Sequence, residues 1–185
     1  MKQNILPALR LTVLCILFFC GIYSLLILGV AQLEPNHGQG KTVTANGRVV
    51  GFALVGQNFS DDKYFWSRPS AAGYNAAGSA GSNKGPSNPD YLKQVSDRID
   101  SFLVHNPAIP KDQVPAELVT ASGSGLDPDL SPDAAKVQVR RIASFRRLDE
   151  AKLLALVENM TEKPIVGRPH VNVLRLNIAL DNLKQ

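Results

Sequence analysis

From Leu11 to Ala31 the chain runs 21 residues without a formal charge, LTVLCILFFCGIYSLLILGVA. As a helix rising ~1.5 Å per residue this run reaches ~31 Å, which matches a hydrocarbon core of ~30 Å. A cleaved signal peptide is the competing reading, because Gly29-Val30-Ala31 offers small residues at a suitable spacing. A signal's apolar region is usually ~7–15 residues, however, and this one is longer, so we expect an uncleaved anchor. Lys2 and Arg10 lie on one flank, whereas the other carries Glu34 and no Lys or Arg before Lys41. The positive-inside bias then gives a cytoplasmic end (1–10), a membrane helix (11–31), a linker (32–41) and one domain outside the cytoplasm (42–185).

Both cysteines, Cys15 and Cys20, fall within the span, so the exported part carries no disulfide and needs an ordinary apolar core. Of the 20 Lys and Arg, removing Lys2 and Arg10 leaves 18 against 16 Asp and Glu. Such a balance, with no basic stripe interleaved with aromatics, argues against a nucleic-acid surface. It also supplies no net acidic funnel for cations.

Composition changes at Glu34-Pro35-Asn36-His37-Gly38-Gln39-Gly40, a turn-forming linker. Asn46-Gly47 between β-formers then predicts a hairpin, because a type I′ turn needs positive φ at both positions. Residues 56–90 are rich in Gly, Ser, Ala, Asn and Pro yet hold Phe59, Tyr64, Phe65, Trp66 and Tyr74. Either this is an ordered, functionally shaped loop region or its aromatics plug the core. Asn88-Pro89 and Ser131-Pro132 read as helix starts, the first helix ending near Asn106-Pro107 and the second running to Phe145. A third helix is expected from Asp149, burying Leu153, Leu156, Val157 and Met160. Val171 to Leu180 alternates enough to be read as a strand that ends in a helical turn. The expected fold class is therefore α+β, one N-terminal transmembrane helix followed by a single mixed α/β extracytoplasmic domain.

Catalytic constellations are hard to find. His37, His105 and His170 are isolated and no pair sits at metal-ligand spacing, so no metal site is expected. The glycines of Gly73 to Ser79 resemble a phosphate loop without its lysine, and neither Ser122 nor Ser124 has Gly two residues away on both sides. Asp127 and Asp129, around Pro128, read as turn and cap residues. No catalytic residue is assigned. Tyr23, near the middle of the span, carries a hydroxyl that is costly in lipid, and Cys20, Gly21 and Ser24 are small neighbours. This points to packing against other membrane helices, the alternative being a hydroxyl that finds its own backbone or water.

Several blocks carry a family resemblance: Gly56-Gln57-Asn58-Phe59, Tyr64-Phe65-Trp66-Ser67-Arg68-Pro69-Ser70-Ala71, Ser79-Ala80-Gly81-Ser82-Asn83 and Ser87-Asn88-Pro89. They continue with Glu117 to Asp127, Ser131-Pro132-Asp133-Ala134-Ala135, Gln138-Val139-Arg140-Arg141-Ile142-Ala143, Val171-Asn172-Val173 and Asn177 to Asp181. In this order they resemble the C subunit of the bacterial Kdp potassium-transporting ATPase. Two departures stand out. The family often shows Tyr-Pro where this chain has Tyr23-Ser24, and an Ala-Arg-Gly-Leu-like run where it has Phe145-Arg146-Arg147-Leu148.

The resemblance implies a non-catalytic subunit of a high-affinity potassium uptake complex in the bacterial inner membrane, with potassium as the transported ion. Its partners would be a channel-like A subunit, a P-type ATPase B subunit and a small F subunit. It also implies promotion of ATP binding by the B subunit, as a catalytic chaperone, with Gln138 and Arg141 as nucleotide-binding candidates. The topology objects, since it puts both residues outside while ATP is inside. Arg140, Arg141, Arg146 and Arg147 then read as a solvated or partner-facing basic surface. We expect partner contacts at Tyr23, Ser24, Phe59, Tyr64, Phe65, Arg68 and Pro69, and a domain that caps the outer channel mouth. The alternative is a free-standing membrane-anchored periplasmic binding or sensor domain whose pocket is the aromatic loop.

Overall fold

The apolar run folds as a helix that starts before it and continues to Gln32. The computed structural model describes residues 2–183. Helix α1 (Lys2–Cys15), a π-helical stretch (Ile16–Ile22) and α2 (Tyr23–Gln32) follow one another without a gap. The helix therefore takes in residues expected to form a cytoplasmic end. Asn4–Gln32 is long and apolar enough to cross a membrane. No residue of the π stretch or of α2 is buried. A helix lying on a soluble core would bury one stripe; a helix with none has a face suited to lipid all round. The chain divides into two compact units, Met1–Lys41 and Thr42–Gln185.

The second unit opens with the hairpin of β1 (Thr42–Ala45) and β2 (Arg48–Phe52), paired antiparallel. Asn46 and Gly47 take φ of 51° and 75°, the two positive values that a type I′ turn demands. Between β2 and α3 (Pro89–His105) the chain forms no helix or strand. The Asn88 side chain accepts from the Tyr91 N–H at 3.0 Å and Pro89 occupies the first turn, so α3 starts where its caps put it. Two short 3₁₀ turns, Lys111–Gln113 and Ala116–Leu118, lead to β3 (Asp129–Leu130).

Three caps organise the rest. Ser131 Oγ accepts from Ala134 N–H and starts α4 (Pro132–Lys136). Asp149 accepts from Ala151 N–H and starts α6 (Glu150–Met160), which buries Leu153 and Val157. Asn172, at the end of β4 (Val171–Asn172), accepts from Arg175 N–H and starts α7 (Val173–Asp181). Strands β3 and β4 pair antiparallel.

Two expectations change here. The helix from Ser131 breaks into α4 and α5 (Val139–Arg146), since Gln138 N–H bonds back only to Ala135 and tightens the turn between them. The Val171–Leu180 run is mostly helix, because Val173, Leu176, Asn177 and Leu180 recur at helical spacing on one buried face and the Asn172 cap favours it. The competing alternation of Leu174, Leu176, Ile178 and Leu180 has no strand to pair with beyond Leu130. The core gathers Phe65, Phe102, Leu130, Ile142, Leu153, Val157, Val171, Leu176 and Leu180.

Candidate functional site

The aromatic loop is held by side chains from helices far along the chain. Gln138, 0% exposed, accepts at Oε1 from Trp66 N–H at 2.8 Å and from Arg141 Nη2 at 2.8 Å. Its Nε2 donates to the carbonyls of Ala134 at 3.1 Å and Trp66 at 3.3 Å. An amide has two donors and an acceptor oxygen with two lone pairs, so every hydrogen-bonding position of Gln138 is used within the protein. Asn177 repeats the arrangement one residue earlier, accepting from Phe65 N–H at 2.9 Å and donating to Phe65 O at 3.0 Å. Two successive loop residues thus receive from side chains the pairing that a strand would receive from a neighbour.

Arg141 completes the clamp. It is 9% exposed, and its Nε donates to Asn106 Oδ1 at 3.1 Å. Nη1 donates to Asp62 O at 2.6 Å and Nη2 to Tyr64 O at 3.1 Å. The guanidinium lies 4.5 Å from the Trp66 ring centroid. Burial pushes its pKa down to about 10, against the pull of Asp62 and Asp61. It stays protonated at neutral pH and lends its charge to two loop carbonyls, those of Asp62 and Tyr64. Gln138 and Arg141 are therefore brought together, on the inside of the domain.

The loop's outer face is built on this clamp. Phe59 and Tyr64 meet edge to face at 5.8 Å, and the Arg146 guanidinium lies 4.9 Å from the Tyr64 centroid. Arg146 also donates to Lys63 O at 2.8 Å and pairs with Asp181. Tyr64 Oη donates to Asp181 Oδ2 at 3.0 Å, and its pKa is raised by burial and by that bond. Arg68 pairs with Asp127 at 2.9 Å, while Pro69 O accepts from Ser122 N–H at 3.2 Å. Tyr74, its pKa pushed up by burial, donates from Oη to Arg68 O at 2.6 Å. Phe59, Tyr64, Arg68 and Pro69 keep part of their surface in solvent. Phe65 does not. At 0% exposure it is a core plug, and the expectation that it faces a partner is corrected: Asn177 holds its backbone and turns the ring inward.

Tyr23 and Ser24 lie on the apolar helix. Tyr23 N–H bonds to Phe18 O and Ser24 Oγ donates to Phe19 O at 3.2 Å. The position where the resemblance often implies proline is thus occupied by a serine that adds a bond to the π-helical turn. Asp127 and Asp129 form no acid–base pair. Asp127 Oδ1 accepts from Asp129 N–H at 3.1 Å in a local turn, and Asn172 Nδ2 bridges Asp129 to Ala53 O. Among the described residues no cluster of three or more His, Cys, Asp or Glu gathers as a metal site would require. A cavity of about 700 Å³ opens beside the clamp, lined by Asp62, His105, Arg140, Arg141 and Phe145 among others.

Sequence reasoning missed Asn177, Asn106 and Asp62. The first had a signal: an asparagine on the apolar face of α7, where a buried amide needs partners.

The blocks that carry the resemblance also meet in space. Ser79 Oγ and Ala80 N–H donate to Ser124 O, and Ser70 Oγ donates to Gly125 O at 2.6 Å. Gly125 takes φ +67°, and a Cβ there would stand 2.7 Å from Ala80 O, so the contact admits only glycine. The family model described as "K+-transporting ATPase, c chain" matches residues 5–182, spanning both units. The chain belongs to the KdpC family. It is 54% identical over 182 residues to the "Potassium-transporting ATPase KdpC subunit" of Flavobacterium johnsoniae, covering 98% of this chain and all of the relative. The subunits of the same name from Bacteroides fragilis and Geobacter metallireducens are 50% and 46% identical, with 98% of each chain covered. In KdpC terms the Gln138 block is the part of the domain that clamps the aromatic block, and the Glu117–Asp127 block is the part that seats the Ser79–Asn83 block.

Proposed function

We propose that this chain is a non-catalytic subunit of a high-affinity, ATP-driven potassium uptake complex. Its apolar helix anchors it in the bacterial inner membrane with the amino end in the cytoplasm, and its domain stands outside and braces the outer mouth of the channel-like subunit. The observation that carries this reading is the c-chain match, which runs through anchor and domain alike. The partners are the channel-like A subunit, the P-type ATPase B subunit and the small F subunit. Tyr23 and Ser24 meet them in the membrane; Phe59, Tyr64, Arg68 and Pro69 meet them outside.

Gln138 and Arg141 serve as positioning residues in this reading. Their donors and acceptors are committed within the domain, to the loop, to each other and to Ala134 and Asn106, so a nucleotide would have to displace those bonds to reach them. Promotion of ATP binding by the B subunit is then coupling through the assembly, which must be reciprocal for the two binding free energies. One observation favours the second reading, a free-standing sensor, with its pocket beside the aromatic loop rather than in it: the cavity of about 700 Å³ lined by Asp62, His105, Arg140 and Arg141.

Co-isolation separates the two. A tagged chain extracted in mild detergent should retain the other ATPase subunits. Replacing the helix around Tyr23 and Ser24 by poly-leucine, or Phe59→Asp in the loop, should lower that retention while leaving the domain folded. Full retention in the combined variant would remove these faces from the interface; no retention by the parent chain would favour the sensor.

A further inference from the structure

The loop between α6 and β4 holds two consecutive aliphatic residues exposed to water. Ile165 is 104% exposed and Val166 89%, the highest values among the large hydrophobic residues described. They form the apex of Lys163-Pro164-Ile165-Val166-Gly167-Arg168-Pro169. The feet are joined by paired backbone bonds, Glu162 N–H to His170 O at 2.8 Å and His170 N–H to Glu162 O at 3.1 Å. Pro164 and Pro169 restrict the path between them, which turns at Gly167, φ +115°. Lys163 is engaged by Glu158 at 3.0 Å, whereas the Arg168 side chain makes no ion pair among the described residues.

The foot of this loop is linked, through β4 and the hairpin, to the strand by which the chain enters the domain. Thr42, the first residue of β1, faces Phe52 across the hairpin. The next residue, Ala53, accepts at its carbonyl from Asn172 Nδ2 at 2.8 Å, two residues past His170. Only residues 33–41 separate Thr42 from the end of the apolar helix, a chain that spans at most ~36 Å. A domain on so short a tether meets the bilayer surface at high effective concentration, so a small apolar tip is enough to hold it there.

We infer that the 163–169 loop is a phospholipid contact. Ile165 and Val166 enter the boundary between headgroups and acyl chains, and Arg168 pairs with lipid phosphate while its stem stays among carbon. This rests on the reading of the helix as an inserted anchor.

The test uses the full chain with Cys15→Ser and Cys20→Ser, labelled at Val166→Cys with an environment-sensitive fluorophore. It is placed in nanodiscs of phosphatidylethanolamine and phosphatidylglycerol carrying nitroxide lipids at headgroup or mid-chain depth. A second sample labelled at Leu25→Cys reports on the anchor. The inference expects blue-shifted emission at Val166 that is lost to the headgroup-level nitroxide, with both effects abolished by Ile165→Asp. If the Leu25 label is quenched at mid-chain depth but the Val166 label stays red-shifted and open to aqueous iodide, the lipid contact is wrong and the anchor stands. An unquenched Leu25 label overturns both together. Shielding of Val166 from iodide only when the other ATPase subunits are co-assembled, without lipid quenching, assigns the loop to a protein surface and overturns the lipid contact.

Discussion

The apolar helix and the aromatic loop are opposites in how they satisfy their backbones. In the helix every interior N–H finds a carbonyl four or five residues back, and no side chain of the π stretch or of α2 is buried. In the loop the polar groups of Asp62, Lys63, Tyr64, Phe65 and Trp66 are met by Arg141, Arg146, Asn177 and Gln138, residues 77 or more positions away in most cases. One segment is self-sufficient in hydrogen bonds and needs only a solvent for its side chains. The other has a fixed shape only because distant amides and guanidiniums reach it.

That contrast predicts where substitutions hurt. Gln138→Ala should cost about 3–4 kcal/mol, since it strands Trp66 N–H and O and one Arg141 donor in a buried place. Leu17→Ala in the helix should leave domain stability unchanged. Trp66 is the single tryptophan, so guanidinium unfolding of the full chain in detergent, followed by its fluorescence, reads the loop directly. Equal effects of the two changes would break the comparison. Asn177→Ala should follow at about 2–3 kcal/mol by the same reasoning applied to Phe65, whereas Asn177→Asp keeps the acceptor for Phe65 N–H and should differ by the lost donor.

A smaller effect sits at the end of α5. Arg147 holds φ 57° as the C-cap, and Leu148 N–H reaches back to Ala143 O at 3.0 Å. This is the position where the family resemblance expects glycine, which adopts that conformation freely. Arg147→Gly should stabilise the domain by about 0.5–1 kcal/mol, less what the freer unfolded chain takes back. The melting temperature of the domain checks it.

The smallest expected effect is a slope. Burial raises the pKa of Asp129, with Asp127 and Glu162 adding to the shift and His170 and the Asn172 bond opposing it. Protonated Asp129 then contributes stability that is fully present below its ordinary value of 3.8 and is lost as pH rises through the raised value. Asp129→Asn keeps the acceptor for Asn172 and removes the titration, so its stability relative to the parent should be higher at neutral pH than in acid. Parallel pH profiles would rule out a contribution from this carboxyl.

The same contrast explains what could be read in the sequence. The long apolar helix, the Asn46-Gly47 hairpin and the caps at Asn88, Ser131 and Asp149 are local devices, so a few consecutive residues reveal them. The clamp is not local. Gln138 and Arg141 were visible as part of a family block, but nothing near them says that they bond to Trp66 and Tyr64 rather than to a ligand. Phe65 looked like one more loop aromatic until Asn177 placed it in the core. The run from Val171 showed both periods at once, and the decision fell to a cap, Asn172, and to the lack of a long partner strand.

The central claim is that the domain stands outside the cytoplasm, so that the clamp acts on nucleotide only through the assembly. Gln138 is buried and would report poorly on sidedness, whereas Ser144 is exposed on the same helix as Arg141. The decisive measurement is therefore reaction of a membrane-impermeant thiol reagent with Ser144→Cys, in a Cys15→Ser and Cys20→Ser chain, in spheroplasts. Labelling from outside without breaching the membrane is the expected result. Protection until the membrane is opened, with normal labelling of the denatured chain, would contradict it and put Gln138 and Arg141 on the side where ATP is.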